Sequence, residues 1–204
     1  MLSNAEKDYI LGLVKELTPQ ILKDINFTHT VKEVGHSFHG PFEDELVKRL
    51  IELDDNFVAP SSTRSMEDIS YKGELINIKF GYEKKGQPNL CSFHRLFNML
   101  NEDNLDAYYI LSVDVSGEGD YGVDYYFFDV YNYLEYTNFN YGTGQLMLKE
   151  TKLKDIYVYN EEVVIPKKDR IVKLGELARQ AYEDHLRIKE KQQQEIEKIV
   201  ALYG

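Results

Sequence analysis

The hydrophobic pattern of the chain is helical at both ends and strand-like in the middle. Ser3 precedes the first helical run, and Glu6 follows it by three residues, as in a capping box. Pro41 opens the second helical run, where the first turn tolerates proline. Residues 26–41 are typical of a loop or a short extended stretch. The apolar spacing predicts helices over residues 3–25, 41–53, 92–100 and 169–202.

The period of the pattern changes to two between the second and the last helix. The dipeptide Lys72-Gly73 separates two strand-like runs, which predicts a hairpin. Pro88-Asn89 marks a loop, and residues 136–144 form a polar stretch that contains glycine and is predicted as another loop. The predicted strands cover residues 56–59, 68–71, 74–80, 107–115, 123–131, 145–149 and 156–165.

The order of these elements predicts a mixed α/β fold with a central sheet, flanking helices and a long C-terminal helix. The 204 residues show neither internal repeats nor a low-complexity linker, so we expect a single domain over residues 1–204. We expect an N-terminal helix and loop, a core, a β-rich candidate recognition region and the C-terminal helix over residues 1–40, 41–115, 116–168 and 169–204, respectively.

The composition is that of a globular protein, with 43% hydrophobic and 29% charged residues. The absence of an apolar run near 18 residues argues against a membrane span, and the first 15 residues do not resemble a signal peptide. The lone Cys91 cannot form an internal disulfide. We therefore expect a cytoplasmic protein, because a single thiol fits a reducing compartment.

The net charge argues, at first, against nucleic acid as a partner. The chain has 24 basic and 35 acidic residues, for a formal charge of −11. Nine of the acidic residues, and no Lys or Arg, lie in residues 101–135. The remainder of the chain carries only −2, so it can still present a local basic surface.

Candidate chemistry concentrates in the predicted hairpin. Asn77 and Lys79 lie two residues apart on a strand and therefore point to the same face, while Ile76, Ile78 and Phe80 point to the other. A half-buried lysine is costly without a partner, so this polar face predicts either a ligand or a cross-strand contact.

A two-residue turn at Lys72-Gly73 would pair residues whose numbers sum to 145. Asp68 would then face Asn77 across the hairpin, with Cβ atoms about 4.5–5.5 Å apart. A three-residue turn would shift the register and separate these groups. Two interpretations stay open from the pattern alone: a polar site, or a hairpin in which Asp68 caps a turn and Lys79 pairs with Glu74 or Asp68.

The predicted second helix brings a further carboxylate to the edge of its apolar stripe. Glu43 lies one step off this stripe, so it can enter a site. Glu45 has Lys48 and Arg49 at i+3 and i+4, the pattern of a solvated ion-paired face. The stripe itself is predicted to pack through Phe42, Leu46, Leu50 and Leu53.

These residues together resemble the PD-(D/E)xK nuclease superfamily, which includes many restriction endonucleases. The resemblance covers about residues 38–115. It consists of a helix carrying a Glu (Glu43 in GPFEDELVKRL), a strand that begins with an Asp (Asp68 in MEDIS), and Asn77-Ile78-Lys79 at the D/E-x-K position. Glu67 stands where the family has proline, and Asn77 replaces the family's acid.

The resemblance implies a restriction-endonuclease-like α/β fold and Mg²⁺-assisted hydrolysis of DNA. It implies that Asp68, Asn77 and the Ile78 carbonyl hold the metal, that Lys79 orients a water molecule and offsets developing charge, and that Glu43 holds a water beside the metal. Double-stranded DNA is the expected substrate, and a homodimer would let two sites cut both strands of a palindrome. The alternative is a non-catalytic nucleic-acid-binding or protein-interaction module with a degenerate nuclease core.

Candidate DNA contacts fall into two groups. Basic side chains near the proposed site can position phosphates, and amide side chains in the predicted 137–145 loop suit contacts to adenine. Surface solvation is the default interpretation of the basic side chains, and an ordinary hairpin loop is the alternative for the amides. The candidates are Arg64, Lys84, Lys85, His94, Arg95, Asn138, Asn140 and Gln145, with later basic residues at Lys149, Lys152, Lys154, Lys167, Lys168 and Arg170.

Two metal-like patterns and the many tyrosines have ordinary structural explanations. Residues 114–120 space oxygens as calcium loops do, but Tyr125 stands where an EF-hand needs Glu. A solvated hairpin loop is the better interpretation. His29, His36 and His39 lack further zinc ligands at suitable spacing. Eleven of 16 tyrosines lie between Tyr108 and Tyr159, where sheet packing is favoured over stacking on bases.

Overall fold

The fold is described from a computed structural model, over residues 1–27, 38–60, 62, 65–82, 89–102, 105–116, 122–149 and 165–203. Two of the three histidines considered as zinc ligands, His29 and His36, lie outside these ranges. The predicted strand at 156–165 also lies outside them, except for its last residue. Five of the candidate DNA contacts are also outside them, namely Arg64, Lys84, Lys85, Lys152 and Lys154.

Four α-helices are found close to the predicted positions. The first begins with the predicted capping box, in which the Glu6 amide donates to Ser3 Oγ at 3.3 Å and the Ser3 amide donates to Glu6 Oε2 at 2.9 Å. Of these four helices, none combines the length and the apolar character needed to cross a bilayer. The helices are α1 (Asn4–Asp24), α2 (His39–Leu53), α3 (Phe93–Asn101) and α4 (Lys167–Tyr203).

The described residues form eight strands in two sheets. A mixed sheet of five strands has the order β1-β2-β3-β5-β6, with β3 and β5 parallel and the other neighbours antiparallel. A smaller antiparallel sheet has the order β4-β8-β7. The strands are β1 (Phe57–Val58), β2 (Ile69–Tyr71), β3 (Glu74–Tyr82), β4 (Asn89–Ser92), β5 (Tyr109–Ser116), β6 (Gly122–Asp129), β7 (Thr137–Asn140) and β8 (Gln145–Leu148).

The five-stranded sheet separates two hydrophobic cores. Ile76, Ile78 and Phe80 of β3 point into the first core, where α1 and α2 cover the sheet. The second core lies on the other face and is closed by α3, the smaller sheet, a 3₁₀ helix over Val130–Tyr136 and the start of α4. Because side chains alternate along a strand, Asn77 and Lys79 of β3 face the second core. Among the described tyrosines between residues 108 and 159, five are buried and support the packing role predicted for this stretch, namely Tyr108, Tyr109, Tyr126, Tyr131 and Tyr133.

The β2–β3 hairpin has the register on which the predicted site depends. Lys72 and Gly73 have φ values of 50° and 85°, as a two-residue type I′ turn requires. Tyr71 pairs with Glu74 and Ile69 pairs with Ile76, so the paired numbers sum to 145 as predicted. Glycine is the residue that adopts such a positive φ without strain, which explains its place at the second turn position.

Four local predictions are wrong, each for a reason that depends on tertiary packing. Residues 137–140 form β7 instead of a loop, because Phe139 is buried against α3 and pairs with Leu146. The strand predicted to reach Tyr131 ends at Asp129, where the 3₁₀ helix begins. Asn89 starts β4, and Leu53 is 57% exposed instead of packing with the α2 stripe.

Arg170 is buried and cannot serve as the phosphate contact that its sequence suggested. Its guanidinium donates to the Ile165 carbonyl at 2.6 Å, to the Asp106 carbonyl, and to Asn132 Oδ1 at 3.1 Å. It also lies 3.5 Å from Asp129 Oδ2, with both side chains at least 96% buried. This network ties α4 to the strand ends of the second core.

Candidate active site

Two carboxylates accept hydrogen bonds from alternate backbone amides along one edge of β3. Asp68 directly precedes β2, and its Oδ2 accepts from the Ile78 amide at 2.6 Å. Glu43 Oε1, from α2, accepts from the Phe80 amide at 3.3 Å. Alternate residues of a strand direct their amides to the same edge, and here the short β2 ends before it can pair with these residues. The edge left open by β2 is thus where α2 and the hairpin meet.

The open edge also orients the Ile78 carbonyl. The amide and the carbonyl of one strand residue point to the same side, so the Ile78 oxygen faces the edge occupied by Asp68 and Glu43. On the opposite edge, β3 pairs with β5, where Lys79 is aligned with Ser112. The arrangement therefore places a backbone carbonyl and two carboxylates close to the N-terminal end of β2.

The electrostatic environment of Asp68 shows which charges lie around it. Burial is the largest influence and raises the pKa of Asp68 above its ordinary value. The Ile78 amide and the Lys79 ammonium oppose this increase in pKa, whereas Glu43 and Glu67 add to it. The local charge comprises three carboxylates and one ammonium, an excess of negative charge that a cation would neutralise.

The positive charge of Lys79 acts on Asp68 and on the buried Cys91 of β4. At both groups it opposes the rise in pKa that burial causes, and the pKa of Cys91 is still raised to about 12. Cys91 is buried, and its raised pKa keeps it a protonated thiol at neutral pH.

Asn77 is held by a carbonyl that sequence reasoning did not identify. Its Nδ2 donates to the Met66 carbonyl at 2.6 Å, and the Tyr108 hydroxyl donates to the same oxygen at 2.6 Å. Asn77 is only 8% exposed, and its Oδ1 is buried without a hydrogen-bond partner among the described residues. A buried amide oxygen without a partner is unusual, and it is an oxygen donor of the kind that Mg²⁺ binds.

The donor types of the predicted site fit a hard cation. Asp68, the Asn77 amide oxygen and the Ile78 carbonyl are oxygen ligands, and Mg²⁺ often binds proteins through one or two carboxylates plus water. Within the described part of the chain, no group of three or more His, Cys, Asp and Glu side chains is arranged to hold a metal.

The other residues that the sequence singled out lie on α2, on α3 and in the β7–β8 hairpin. Glu45 makes the predicted ion pairs with Lys48 and Arg49, at 3.8 Å and 2.8 Å, and so belongs to a solvated face. His94 and Arg95 are exposed on α3, directly after β4. Asn138, Asn140 and Gln145 lie in the β7–β8 hairpin, and Asn140 pairs with Gln145 in its register. His39 begins α2.

An Asp68→Asn substitution is expected to raise the thermal stability of the metal-free protein at pH 7. Because the pKa of Asp68 is higher in the folded than in the unfolded chain, ionising it at neutral pH costs free energy of folding. Asparagine removes that cost and can still accept from the Ile78 amide. The difference in melting temperature between variant and wild type should shrink as the pH falls through the folded pKa toward the unfolded one.

An Asp68→Ala variant provides the control for this measurement, because it removes the charge and also leaves the Ile78 amide without its acceptor. We expect it to be less stable than Asp68→Asn. A lower melting temperature for Asp68→Asn than for wild type at pH 7 would contradict the prediction.

Comparison with known proteins gives a likeness at the level of the fold. Neither protein-family models nor curated protein sequences match the chain. A solved structure described as a restriction endonuclease in complex with substrate DNA matches 85% of this chain and 99% of its own, with a TM-score of 0.52 and 18% identity. The chain therefore has the restriction-endonuclease-like mixed α/β fold that the resemblance implied, including the long C-terminal helix.

Proposed function

We propose that this protein is a Mg²⁺-dependent DNA endonuclease of the type II restriction class, acting on double-stranded DNA as a homodimer. The observation that carries the proposal is the pair of carboxylates, Asp68 and Glu43, at the open edge of β3, with the Lys79 charge acting on Asp68, within a restriction-endonuclease-like fold. The similar solved structure contains substrate DNA, which supports the same class of substrate here.

In the proposed site, Asp68, Asn77 Oδ1 and the Ile78 carbonyl would hold Mg²⁺. When bound, the ion would polarise the scissile phosphate and lower the pKa of a nearby water. The Ile78 amide fixes the Asp68 carboxylate, and the Met66 carbonyl fixes the Asn77 amide, so both oxygen donors are oriented before any ligand binds.

Lys79 and Glu43 would act on the water and the phosphate. The Lys79 ammonium would orient the water and offset the negative charge that grows on the phosphate oxygens. Glu43, held by the Phe80 amide, would position water at the edge of the site. The water gives up a proton to solvent as its oxygen forms a new bond to phosphorus, the bond from phosphorus to the departing oxygen breaks, and that oxygen takes a proton from solvent.

Incubation with plasmid DNA of varied sequence tests the proposal. Cleavage should require Mg²⁺, should stop when a chelator is added, and should be absent in the Asp68→Asn variant, which folds with the charge removed. If wild-type protein with millimolar Mg²⁺ cleaves none of the DNA substrates, the enzymatic proposal fails. If Asp68→Asn cleaves as fast as wild type, the site assignment fails.

One feature of the site favours the alternative function, a non-catalytic module with a degenerate nuclease core. Asn77 contributes no charge, and its amide nitrogen is committed to the Met66 carbonyl. A protein of this kind would bind DNA or another protein and would leave the plasmid intact at every Mg²⁺ concentration. Retained DNA binding without cleavage would favour it over the enzyme.

An Asn77→Asp substitution is expected to make the stability of the protein depend more strongly on Mg²⁺. Without metal, the new carboxylate loses its bond to the Met66 carbonyl and adds buried charge near Asp68, a cost of about 1–3 kcal/mol. This corresponds to a fall in melting temperature of roughly 2–12 °C. With Mg²⁺, the added charge should strengthen binding and recover much of the loss.

Thermal melts with Mg²⁺ and with chelator measure this effect in wild type and variant. An Asn138→Asp variant in the β7–β8 hairpin provides a control for adding an acid elsewhere. Equal Mg²⁺-induced shifts in wild type and Asn77→Asp would exclude Asn77 as a contributor to the cation site.

A further inference from the structure

The C-terminal half of α4 projects away from the rest of the described protein. Its first half packs against the second core through Ile171, Leu174, Ala178 and Ala181. Every residue from 186 to 203 is exposed. Eighteen helical residues span about 27 Å. Because isolated helices are marginally stable in water, such a projection is typical of a segment that packs against a partner.

The apolar stripe of α4 continues along this projection. The stripe of Leu174, Ala178, Ala181 and His185 continues with Ile188, Gln192, Ile196 and Ile199 at spacings of three and four residues, which keeps these side chains on one face of the helix. The apolar side chains of the projecting part are largely exposed. Ile188, Ile196 and Ile199 are exposed by 54%, 61% and 56%, respectively.

The charges of the projection are arranged for antiparallel pairing with a second copy. Residues 187–191 carry three basic side chains, and residues 195–197 carry two acidic ones, with three glutamines between them. In an antiparallel pair the basic segment of one copy meets the acidic segment of the other. In a parallel pair each charge would meet its own kind, which is unfavourable.

We propose that two copies of this chain pair through α4 around a two-fold axis at Gln192. Residues whose numbers sum to 384 then lie opposite each other, and the contact is isologous. The facing pairs are Ile188 with Ile196 and, at the flanks of the contact, Lys189 with Glu195. Each pair occurs twice by symmetry, which gives two unlike-charge contacts beside two apolar contacts. Arg187 and Glu197 point away from the contact and interact with Asp184 and Gln193 of their own helix.

A cleft on the body of each copy lies where the end of the second helix would reach. The cleft encloses about 300 Å³ between the β7–β8 hairpin and α4, and Tyr141, Ala181, His185 and Ile188 are among the residues that line it. In the proposed register, Ile199 of the second copy lies opposite His185, and its Tyr203 lies opposite Ala181. The exposed apolar end of one helix would therefore fill the cleft of the other copy.

This interface specifies how the proposed nuclease dimer assembles, but it rests on α4 and not on the catalytic residues. A dimer without DNA cleavage would leave the interface intact and overturn the enzymatic proposal. A metal-dependent nuclease that is monomeric at all concentrations would overturn the interface and leave the enzymatic proposal intact.

Sedimentation of two charge-reversed variants tests the pairing. The Lys189→Glu and Glu195→Lys variants change exposed residues only, so both should fold. Each alone replaces two unlike-charge contacts with two like-charge contacts, and its dimer dissociation constant should rise about tenfold at low salt. An equimolar mixture restores every unlike pair and should form a heterodimer of near wild-type affinity.

Single cysteine variants test the direction of the helices. Gln192→Cys lies on the axis and should link to itself on oxidation. Ile188→Cys and Ile196→Cys should each fail to self-link, since the same residue in the two copies is about 12 Å apart along the axis, and they should link when mixed. The native Cys91 is buried and should not compete.

Three results would overturn the interface. The first is a wild-type protein that stays monomeric at high micromolar concentration. The second is a dimer whose dissociation constant is unchanged in both charge-reversed variants, because its contacts would then lie elsewhere. The third is self-linking of both Ile188→Cys and Ile196→Cys, which would indicate parallel helices.

Discussion

Replacing Lys79 with methionine is expected to slow Mg²⁺-dependent DNA cleavage by about 10²- to 10⁴-fold, with little change in folding. Methionine retains most of the length of the side chain but removes the ammonium that would orient water and offset charge on the phosphate. Removing it also removes an influence that lowers the pKa of Asp68. The acidic limb of the pH–rate profile of the residual activity should therefore move to higher pH.

A Lys72→Met variant is the matched control, because it changes a lysine on the same hairpin. Lys72 lies at the turn and pairs with Glu6 at 2.7 Å, with 49% of its side chain exposed. Its replacement should leave cleavage within about twofold of wild type. Single-turnover rates over a range of pH distinguish the two lysines. Equal rates for Lys79→Met and Lys72→Met would remove Lys79 from the proposed chemistry.

Replacing Arg170 with methionine is expected to destabilise the protein by about 3–5 kcal/mol. The substitution leaves the Asp129 carboxylate, 1% exposed, without the guanidinium that lies 3.5 Å away. It also removes the donors to the Ile165 and Asp106 carbonyls. Urea denaturation should show a lower midpoint with an unchanged slope, which reports a loss of stability and not of compactness.

Two further variants identify the cause of that loss of stability. Arg179→Met changes an exposed arginine of α4 and should cost under about 0.5 kcal/mol. Adding Asp129→Asn to Arg170→Met removes the buried negative charge that lacks its guanidinium and should recover part of the stability. If the double variant is as unstable as the two single variants would predict by addition, the charge of Asp129 is not the source of the loss.

The sequence was sufficient to predict the candidate site where the determinants are local. The Lys72-Gly73 turn fixes the register of adjacent strands, so the approach of Asp68 to Asn77 follows from counting residues. Glu43 follows from its place beside an apolar stripe on one helix. Neither inference needs knowledge of how distant segments meet.

The environment of Asn77 could not be predicted, because it depends on contacts across the chain. Tyr108 reaches the Met66 carbonyl only because β3 and β5 are parallel neighbours, and the connection between them passes through β4 and α3. Sequence spacing does not set the register of such a crossover. The Arg170 network could not be predicted either. The lysines and the arginine at the start of the last predicted helix give no sign that the arginine is buried.

The site is divided between a short strand near the edge of the sheet and a long central strand, and this division affects how long its geometry persists. Asp68 precedes the three-residue β2, which lies next to the two-residue edge strand β1, whereas Asn77 and Lys79 belong to the nine-residue β3 at the centre of the sheet. Edges of a sheet open with less free energy than its centre, as amide hydrogen exchange commonly shows. The lifetime of the intact site is therefore set by local opening of its least stable strand and not by global unfolding. A cation held between Asp68 and β3 would link the two strands and lengthen that lifetime.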